Sequence, residues 1–149
     1  MMRWLYRLAD YARQMAGNRR WPADKAIGRR GEDIVHRWLQ RQGMTVVARN
    51  FTPPGGKAEA DLIAWDGDEL VVIEVKTRSN LDFGPPERNV GYQKHQKMIA
   101  AGEYYARRAE VPLDRVRFDV VSVLMLGKSV EVEHFKAAVR PGRWRAAST

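Results

Sequence analysis

The sequence contains no cysteine, and this absence excludes several kinds of protein chemistry. Without thiols the chain has no disulfide scaffold, no cysteine-ligated zinc site and no thiol nucleophile. It also lacks a long hydrophobic run, because stretches such as residues 71–73 are far shorter than the ~20 apolar residues of a membrane-spanning helix. Arg3, Arg7 and Asp10 interrupt the N-terminal stretch where a secretion signal needs its apolar core. We therefore expect a cytoplasmic protein.

Positive charge is in excess, and it is concentrated at the two ends of the chain. The 149 residues include 26 Lys plus Arg and 18 Asp plus Glu, which gives a formal net charge of +8. Residues 1–24 contribute +3 and residues 136–149 contribute +4, so the region between them carries only +1. An arginine-rich basic protein favours phosphate-bearing partners, because the guanidinium group binds phosphate bidentately. The two basic ends are either solvated tails or segments that attach the protein to such a partner.

The sequence divides into three regions. Residues 1–22 are predicted to form a basic amphipathic helical extension and a linker, since apolar residues between positions 4 and 15 recur at helical spacing. Such a helix could rest on its own domain, on nucleic acid or on a membrane surface, and we favour the first of these. Residues 23–136 are predicted to form a single folded domain, and residues 137–149 a basic C-terminal tail.

The central region predicts an α/β fold in which a mixed sheet of about five strands is flanked by helices. Apolar residues at helical spacing predict two helices, over residues 23–42 and 87–109. Alternating or short apolar patterns between turn signals predict five strands, over residues 44–51, 59–65, 69–77, 117–126 and 129–136.

A predicted hairpin around Gly67-Asp68 is the most informative segment. A two-residue turn there pairs residues whose numbers sum to about 135, which sets Asp61 opposite Glu74 with Lys76 on the same face. Two carboxylates in this relation repel each other unless a cation lies between them. Mg²⁺ or Mn²⁺ meets that need, because both ions prefer oxygen ligands. The hairpin therefore predicts a divalent metal site with a lysine beside it.

Glu32 is a candidate further member of this site. It lies at the edge of the apolar stripe of the first predicted helix, about 20° from Leu39 on a helical wheel. An acid in this position could point toward the charged end of the sheet. The structural alternative is ordinary ion pairing. Asp61 and Glu74 could pair with Arg78, Arg49 or Lys76, and Glu32 could pair with Arg29 or His36 of its own helix.

Seven short motifs occur in a fixed order along the chain. They are Gly28-x-x-Gly31-Glu32, Arg49-Asn50, Asp61-Leu-Ile-Ala, Glu74-Val-Lys76-Thr-Arg78, Phe83-Gly84-Pro85, Lys94 and Arg117-Phe-Asp-Val-Val. Together they resemble the YraN-like family of bacterial proteins over about residues 25–135. That family is placed in the restriction-endonuclease-like, PD-(D/E)xK, superfamily, and its core also resembles archaeal Holliday-junction resolvases. The chain departs from the family pattern at Ala58, where a glycine is usual.

The resemblance implies a metal-dependent nuclease that hydrolyses DNA phosphodiester bonds. It places Glu32, Asp61 and Glu74 on metal positions, and these three with Lys76 on catalytic positions. Mg²⁺ is the implied cofactor, with Mn²⁺ as an alternative. DNA is favoured over RNA as the partner, branched DNA is one candidate substrate, and a homodimer is an open alternative.

Four basic residues near these positions are candidate nucleic-acid contacts: Arg30, Arg49, Arg78 and Lys94, the last on a recurrent helix lysine of the family. Two other functions stay open from the sequence. One is a catalytically inactive nucleic-acid-binding module with a nuclease-like fold. The other is a membrane or assembly adaptor that acts through the N-terminal helix.

Overall fold

A five-stranded mixed sheet carries one helix on each face. The computed structural model describes residues 23–79 and 88–142, with the backbone alone at 23–25 and 88–90. In chain order the elements are α1 (Ala23–Arg41), β1 (Thr45–Phe51), β2 (Ala60–Asp66), β3 (Glu69–Ser79), α2 (Arg88–Arg108), a 3-10 turn (Leu113–Arg115), β4 (Val116–Leu126) and β5 (Ser129–Phe135). Two helices and five strands were expected, and the predicted mixed α/β architecture is confirmed.

The strands lie side by side in chain order, β1-β2-β3-β4-β5. Neighbouring strands are antiparallel except β3 and β4, which run parallel because the chain returns through α2 between them. The β2–β3 hairpin has the predicted register, with Ile63 paired to Val72 and Trp65 paired to Leu70. Gly67 has a φ of +60°, the left-handed conformation that a tight hairpin turn requires.

The β2–β3 pairing stops just before the two acidic residues. The sequence predicts that Asp61 and Glu74 form the next pair of the ladder, and this prediction is wrong, because the last pair is Leu62 with Ile73. The physical reason is a side-chain contact, because the Asp61 carboxylate accepts the hydrogen bond of the Val75 N–H. The two acids still come to the same end of the sheet.

Two apolar clusters, one on each face of the sheet, form the core. The first lies between the sheet and α2 and includes Val72, Met98 and Phe118. The second lies between the sheet and α1 and includes Leu39 and Ile73. Burying one such side chain contributes about 1.5–3 kcal/mol, so these clusters hold both helices firmly against the sheet.

One glycine in each helix allows that helix to lie close to the sheet. A Cβ on Gly31 of α1 would overlap Oγ1 of Thr77 in β3. A Cβ on Gly102 of α2 would lie 2.6 Å from a methyl carbon of Val72. Because Glu32 follows Gly31, the close approach of α1 to β3 also sets where Glu32 lies.

Several sequence predictions fall outside the described residues. These are the N-terminal extension at 1–22, the Phe83-Gly84-Pro85 motif and the greater part of the basic tail. Neither described helix is long and apolar enough to cross a membrane.

Candidate metal and nucleic-acid site

A backbone contact holds Asp61 at the start of β2. Its Oδ2 accepts a hydrogen bond from the Val75 N–H at 2.8 Å, and the residue is buried. Val75 directly follows Glu74 in β3, so this bond brings carboxylates from two neighbouring strands together. We call Asp61 and Glu74 the carboxylate pair.

Glu74 is the more deeply buried member of the carboxylate pair, with 2% of its side chain exposed. Its Oε2 lies 2.8 Å from Nε2 of His95. This short contact lacks hydrogen-bond geometry, and both atoms are without a hydrogen-bond partner within the described part of the chain. A buried carboxylate oxygen that accepts no hydrogen bond is costly, so Oε2 of Glu74 is a candidate atom for binding a ligand.

Lys94 of α2 is the cation that the carboxylate pair shares. Its Nζ lies 3.5 Å from Oδ2 of Asp61 and 3.7 Å from Oε1 of Glu74. Both distances exceed those of ordinary hydrogen bonds, so the ammonium group interacts with the pair mainly through its charge. The partners of the pair thus come from α2, and not from the basic residues near these acids in sequence that the structural alternative named.

Glu32 of α1 lies near Asp61 but has partners of its own. Nδ2 of Asn50 donates a hydrogen bond of 3.3 Å to Oε2 of Glu32, and Nη2 of Arg49 lies 3.8 Å from the same oxygen. Burial, and then the negative charge of Asp61, raise the pKa of Glu32 from 4.5 to about 7. Asn50 and Arg49 lower it only in part. Glu32 therefore lies within the electrostatic reach of the carboxylate pair.

The arrangement fits a divalent cation through two carboxylates. Within residues 23–79 and 88–142, no three His, Asp or Glu side chains converge closely enough to hold a metal ion, so Glu32 is not placed as a third ligand. The pair does share the ammonium group of Lys94, and Oε2 of Glu74 has no hydrogen bond. These features suit Mg²⁺, which is commonly bound by one or two carboxylates and completed by water and substrate phosphate.

An open groove of about 850 Å³ is lined in part by His95, the residue that contacts Glu74, and we call it the Lys76 groove. Its lining includes Lys76, Arg78, His95, Ser122, Glu131 and Glu133. Lys76 lies two residues after Glu74 in β3, so both side chains are on the same face of the strand. Lys76 forms no ion pair with any described residue, which leaves its ammonium group available to a ligand. The two glutamates balance Lys76 and Arg78, so the groove is not uniformly basic.

The four candidate nucleic-acid contacts differ in their surroundings. Arg30 and Arg78 are exposed, and Arg78 also lines the Lys76 groove. Arg49 forms a close ion pair of 2.6 Å with Asp33. Lys94 is engaged by the carboxylate pair. Arg30 and Arg78 are therefore the two whose surroundings leave them open to a phosphate.

Sequence reasoning missed two residues of the site, His95 and Asn50. His95 carried no metal-type spacing with another histidine, so no sequence signal pointed to it. Asn50 belonged to a motif, but no role was predicted for it. It has a φ of +47°, in the left-handed region that asparagine tolerates, and it donates to Glu32.

The fold and the carboxylate pair define a small α/β protein with a candidate metal site, and comparison with known proteins adds its family. Residues 31–123 match the model of the "Uncharacterised protein family UPF0102". The chain belongs to this family, which is the YraN-like family that the sequence motifs resemble.

Relatives from bacteria match most of the chain. A UPF0102 protein of Solibacter usitatus is 48% identical over 134 residues, which cover 90% of this chain and 96% of the relative. One from Syntrophotalea carbinolica is 40% identical over 121 residues, which cover 80% and 95%. The first alignment is longer than residues 23–136, so it includes part of the terminal regions. Among solved structures, a Holliday junction resolvase from Archaeoglobus fulgidus overlaps with a TM-score of 0.40 and 18% identity, over 74% of this chain and 72% of that one.

Proposed function

We propose that this protein is a nuclease of the restriction-endonuclease-like superfamily that hydrolyses DNA phosphodiester bonds with Mg²⁺ or Mn²⁺. The observation that supports this most is the carboxylate pair. Two buried acids on neighbouring strands share one lysine, and one of their oxygens lacks a hydrogen bond. Buried like charges are expensive, so a fold that retains them without full compensation points to a ligand of opposite charge.

In this proposal one set of residues binds the cation, and another acts on the attacking water and the phosphate. The Val75 N–H orients Asp61, and burial restrains Glu74, so both ligands are positioned in advance. Bound Mg²⁺ would supply a Lewis acid for the scissile phosphate. Lys76, on the same face as Glu74, would orient the attacking water and offset negative charge in the transition state. Glu32 is proposed to join these ligands by exchanging its Asn50 contact for the cation.

The proposed substrate is DNA in preference to RNA, and branched DNA is the first form to test. Arg30 and Arg78 are the proposed phosphate contacts, with Arg49 and Lys94 dependent on the release of their acidic partners. A homodimer is the arrangement that would cut two strands. We propose that the protein acts in the cytoplasm, in keeping with its lack of cysteine.

The test is cleavage of branched, single-stranded and duplex DNA by the full chain in Mg²⁺, Mn²⁺ or EDTA. We expect cleavage that needs the metal and that falls at least about 100-fold in Glu74→Gln and in Lys76→Met, since substitution even of residues that only hold the metal ligands in place commonly lowers activity 10–100-fold. Asp114→Asn is the control, because Asp114 is exposed and lies in the turn before β4, away from the carboxylate pair. Absence of cleavage on all three substrates, or cleavage that survives Glu74→Gln, would refute the proposal.

A nucleic-acid-binding module without catalysis is the second candidate function. It is favoured by Lys94, which already neutralises part of the charge on the carboxylate pair. This alternative predicts DNA binding that weakens steeply with added salt and is unaffected by EDTA or by Glu74→Gln. Metal-dependent cleavage by the wild-type protein would exclude it.

A further inference from the structure

We propose that Lys94 is the resident cation of the metal-free site, and that a divalent cation binds the carboxylate pair by displacing the Lys94 ammonium group. This inference rests on the proposed metal dependence and adds a built-in competitor to it. Lys94 then sets how tightly the metal is bound, and the site is never left as two uncompensated acids.

The position of Lys94 supports the proposal. Its single ammonium group lies 3.5 Å from an oxygen of Asp61 and 3.7 Å from an oxygen of Glu74, so it contacts both acids that would hold the metal ion. One positive charge compensates only half of the charge on two carboxylates. A divalent ion compensates both, and its stronger attraction favours exchange.

The exposure of these side chains shows which partner is able to move. The side chains of Asp61 and Glu74 are 10% and 2% exposed, whereas that of Lys94 is 46% exposed. Lysine also carries its charge on a flexible stem of four carbons and is readily hydrated. The acids are therefore fixed, and the ammonium group can leave for solvent without disturbing the core.

Another buried acid of this protein, Asp119, has partners of a different kind. Asp119 is fully buried and accepts hydrogen bonds of 2.9 Å from the guanidinium group of Arg117, whose side chain is only 12% exposed. His134 approaches the same carboxylate at 2.7 Å. We expect this arrangement to persist, because the contacts to Asp119 are short and directional and the side chains that make them are largely buried. The carboxylate pair also has a histidine contact, from His95 to Glu74, but the cation that its two acids share is exposed and held at longer distances.

The first experiment measures Mn²⁺ affinity by titration calorimetry for the wild-type protein, Lys94→Met and Lys97→Met. We expect Lys94→Met to bind Mn²⁺ about tenfold more tightly at low ionic strength, because the competing charge is gone. Lys97→Met should bind as the wild type does. Lys97 is an exposed lysine of the same helix whose side chain has no ion pair with a described residue, so it controls for the general loss of charge.

The second experiment needs no substitution and so does not depend on how Lys94→Met folds. The wild-type protein is acetylated briefly with and without Mn²⁺, and each lysine is quantified by mass spectrometry. We expect bound Mn²⁺ to increase the labelling of Lys94 severalfold while Lys97 is unchanged, since the metal frees the Lys94 amine from the acids.

The outcomes separate this inference from the function on which it rests. Equal or weaker Mn²⁺ binding by Lys94→Met, or Lys94 labelling that does not respond to bound Mn²⁺, overturns the displacement and leaves the proposed nuclease untouched. Failure of both proteins to bind Mn²⁺, together with absence of cleavage, overturns both. Tighter binding by Lys94→Met and metal-dependent labelling support the displacement even if no DNA substrate is cut.

Discussion

The Asp61 carboxylate accepts a hydrogen bond from the backbone N–H of Val75 at the point where the β2–β3 ladder ends. Val75 is buried, so its N–H would otherwise lack a partner. The same contact holds Asp61 next to Glu74. Asp61 therefore has a structural role and a proposed role in metal binding, and the two are separable by substitution.

Asp61→Asn and Asp61→Ala should differ in stability but not in metal binding. The asparagine keeps an oxygen that accepts the Val75 N–H, so we expect its free energy of unfolding in EDTA to stay within about 1 kcal/mol of the wild type. The alanine leaves that buried N–H unsatisfied and should cost about 1–3 kcal/mol. Both variants lack the charge, so both should lose Mn²⁺ affinity by tenfold or more.

Urea unfolding in EDTA measures the first effect, and titration calorimetry with Mn²⁺ measures the second. Equal stability of the two variants would show that the Val75 hydrogen bond contributes little. Wild-type Mn²⁺ affinity in Asp61→Asn would remove Asp61 from the proposed metal ligands.

Gly31→Ala should destabilise the protein, whereas Gly28→Ala should not. A Cβ at Gly31 would overlap Oγ1 of Thr77, but a Cβ at Gly28 has nothing within 4 Å. Overpacking typically costs about 1–3 kcal/mol, which exceeds the helix-propensity gain of about 1 kcal/mol that alanine brings at either position. Thermal and urea unfolding of the two matched variants give the comparison.

Adding Thr77→Ala to Gly31→Ala tests the cause directly. If the overlap with Oγ1 is responsible, the double variant should recover part of the lost stability. Equal stability of Gly31→Ala and Gly28→Ala would show instead that α1 shifts away from β3 at no cost.

Local patterns were sufficient to predict the elements and the end of the sheet that carries the acids. The register of the hairpin could be predicted because Gly67 readily adopts the positive φ that a two-residue turn requires. That register brings Asp61 and Glu74 to the same end of the sheet. The partners of these acids were not predictable in the same way. Lys94 and His95 contact these acids because of where α2 packs on the sheet.

That placement depends on tertiary packing, such as the close contact of Gly102 with Val72. Helical periodicity identifies the apolar face of α2 but does not say which strand each turn of the helix meets. For the same reason, the environment of Glu32 could not be derived from its place on a helical wheel. Its contact with Asn50 depends on how β1 ends beside α1.

The pKa of Glu32 predicts a pH-dependent difference between the wild type and Glu32→Gln. The folded-state pKa is about 7 and the ordinary value is 4.5, so between these values the folded state binds more protons than the unfolded chain. Stability must then fall as pH rises from about 4.5 to about 7, and it should level off above that range. Glu32→Gln lacks this loss. In EDTA its stability relative to the wild type should increase by up to about 3 kcal/mol across the window.

Urea unfolding of both proteins at several pH values gives the difference directly, since titrating groups that do not interact with Glu32 contribute to both proteins alike. Parallel stability profiles would contradict the prediction and would show that Asn50 and Arg49 compensate the charge of Glu32 fully.

The buried acid Asp119 should matter for stability and not for metal binding. Its carboxylate accepts hydrogen bonds from Arg117 and from the Ala137 N–H, and it contacts His134. Burial alone would raise the pKa of Asp119, but the bonds from His134, Arg117 and Ala137 outweigh burial and lower it. A lowered folded-state pKa stabilises the protein above the ordinary value near 3.8, and this contribution is lost as pH falls below it.

Asp119→Asn should therefore lower the free energy of unfolding at pH 7 by about 1–3 kcal/mol, because its amide cannot accept from all of these donors, although Arg117 keeps its contacts with Asp66 and Glu69. The variant should also lose less stability than the wild type when the pH is lowered from 5 to 3. Its Mn²⁺ affinity should be unchanged at temperatures where it is folded, since Asp119 contacts neither acid of the carboxylate pair. Urea unfolding and calorimetry measure these effects. A stability change below about 1 kcal/mol would show that the Asp119 contacts are dispensable, because changes of that size are common for exposed ion pairs.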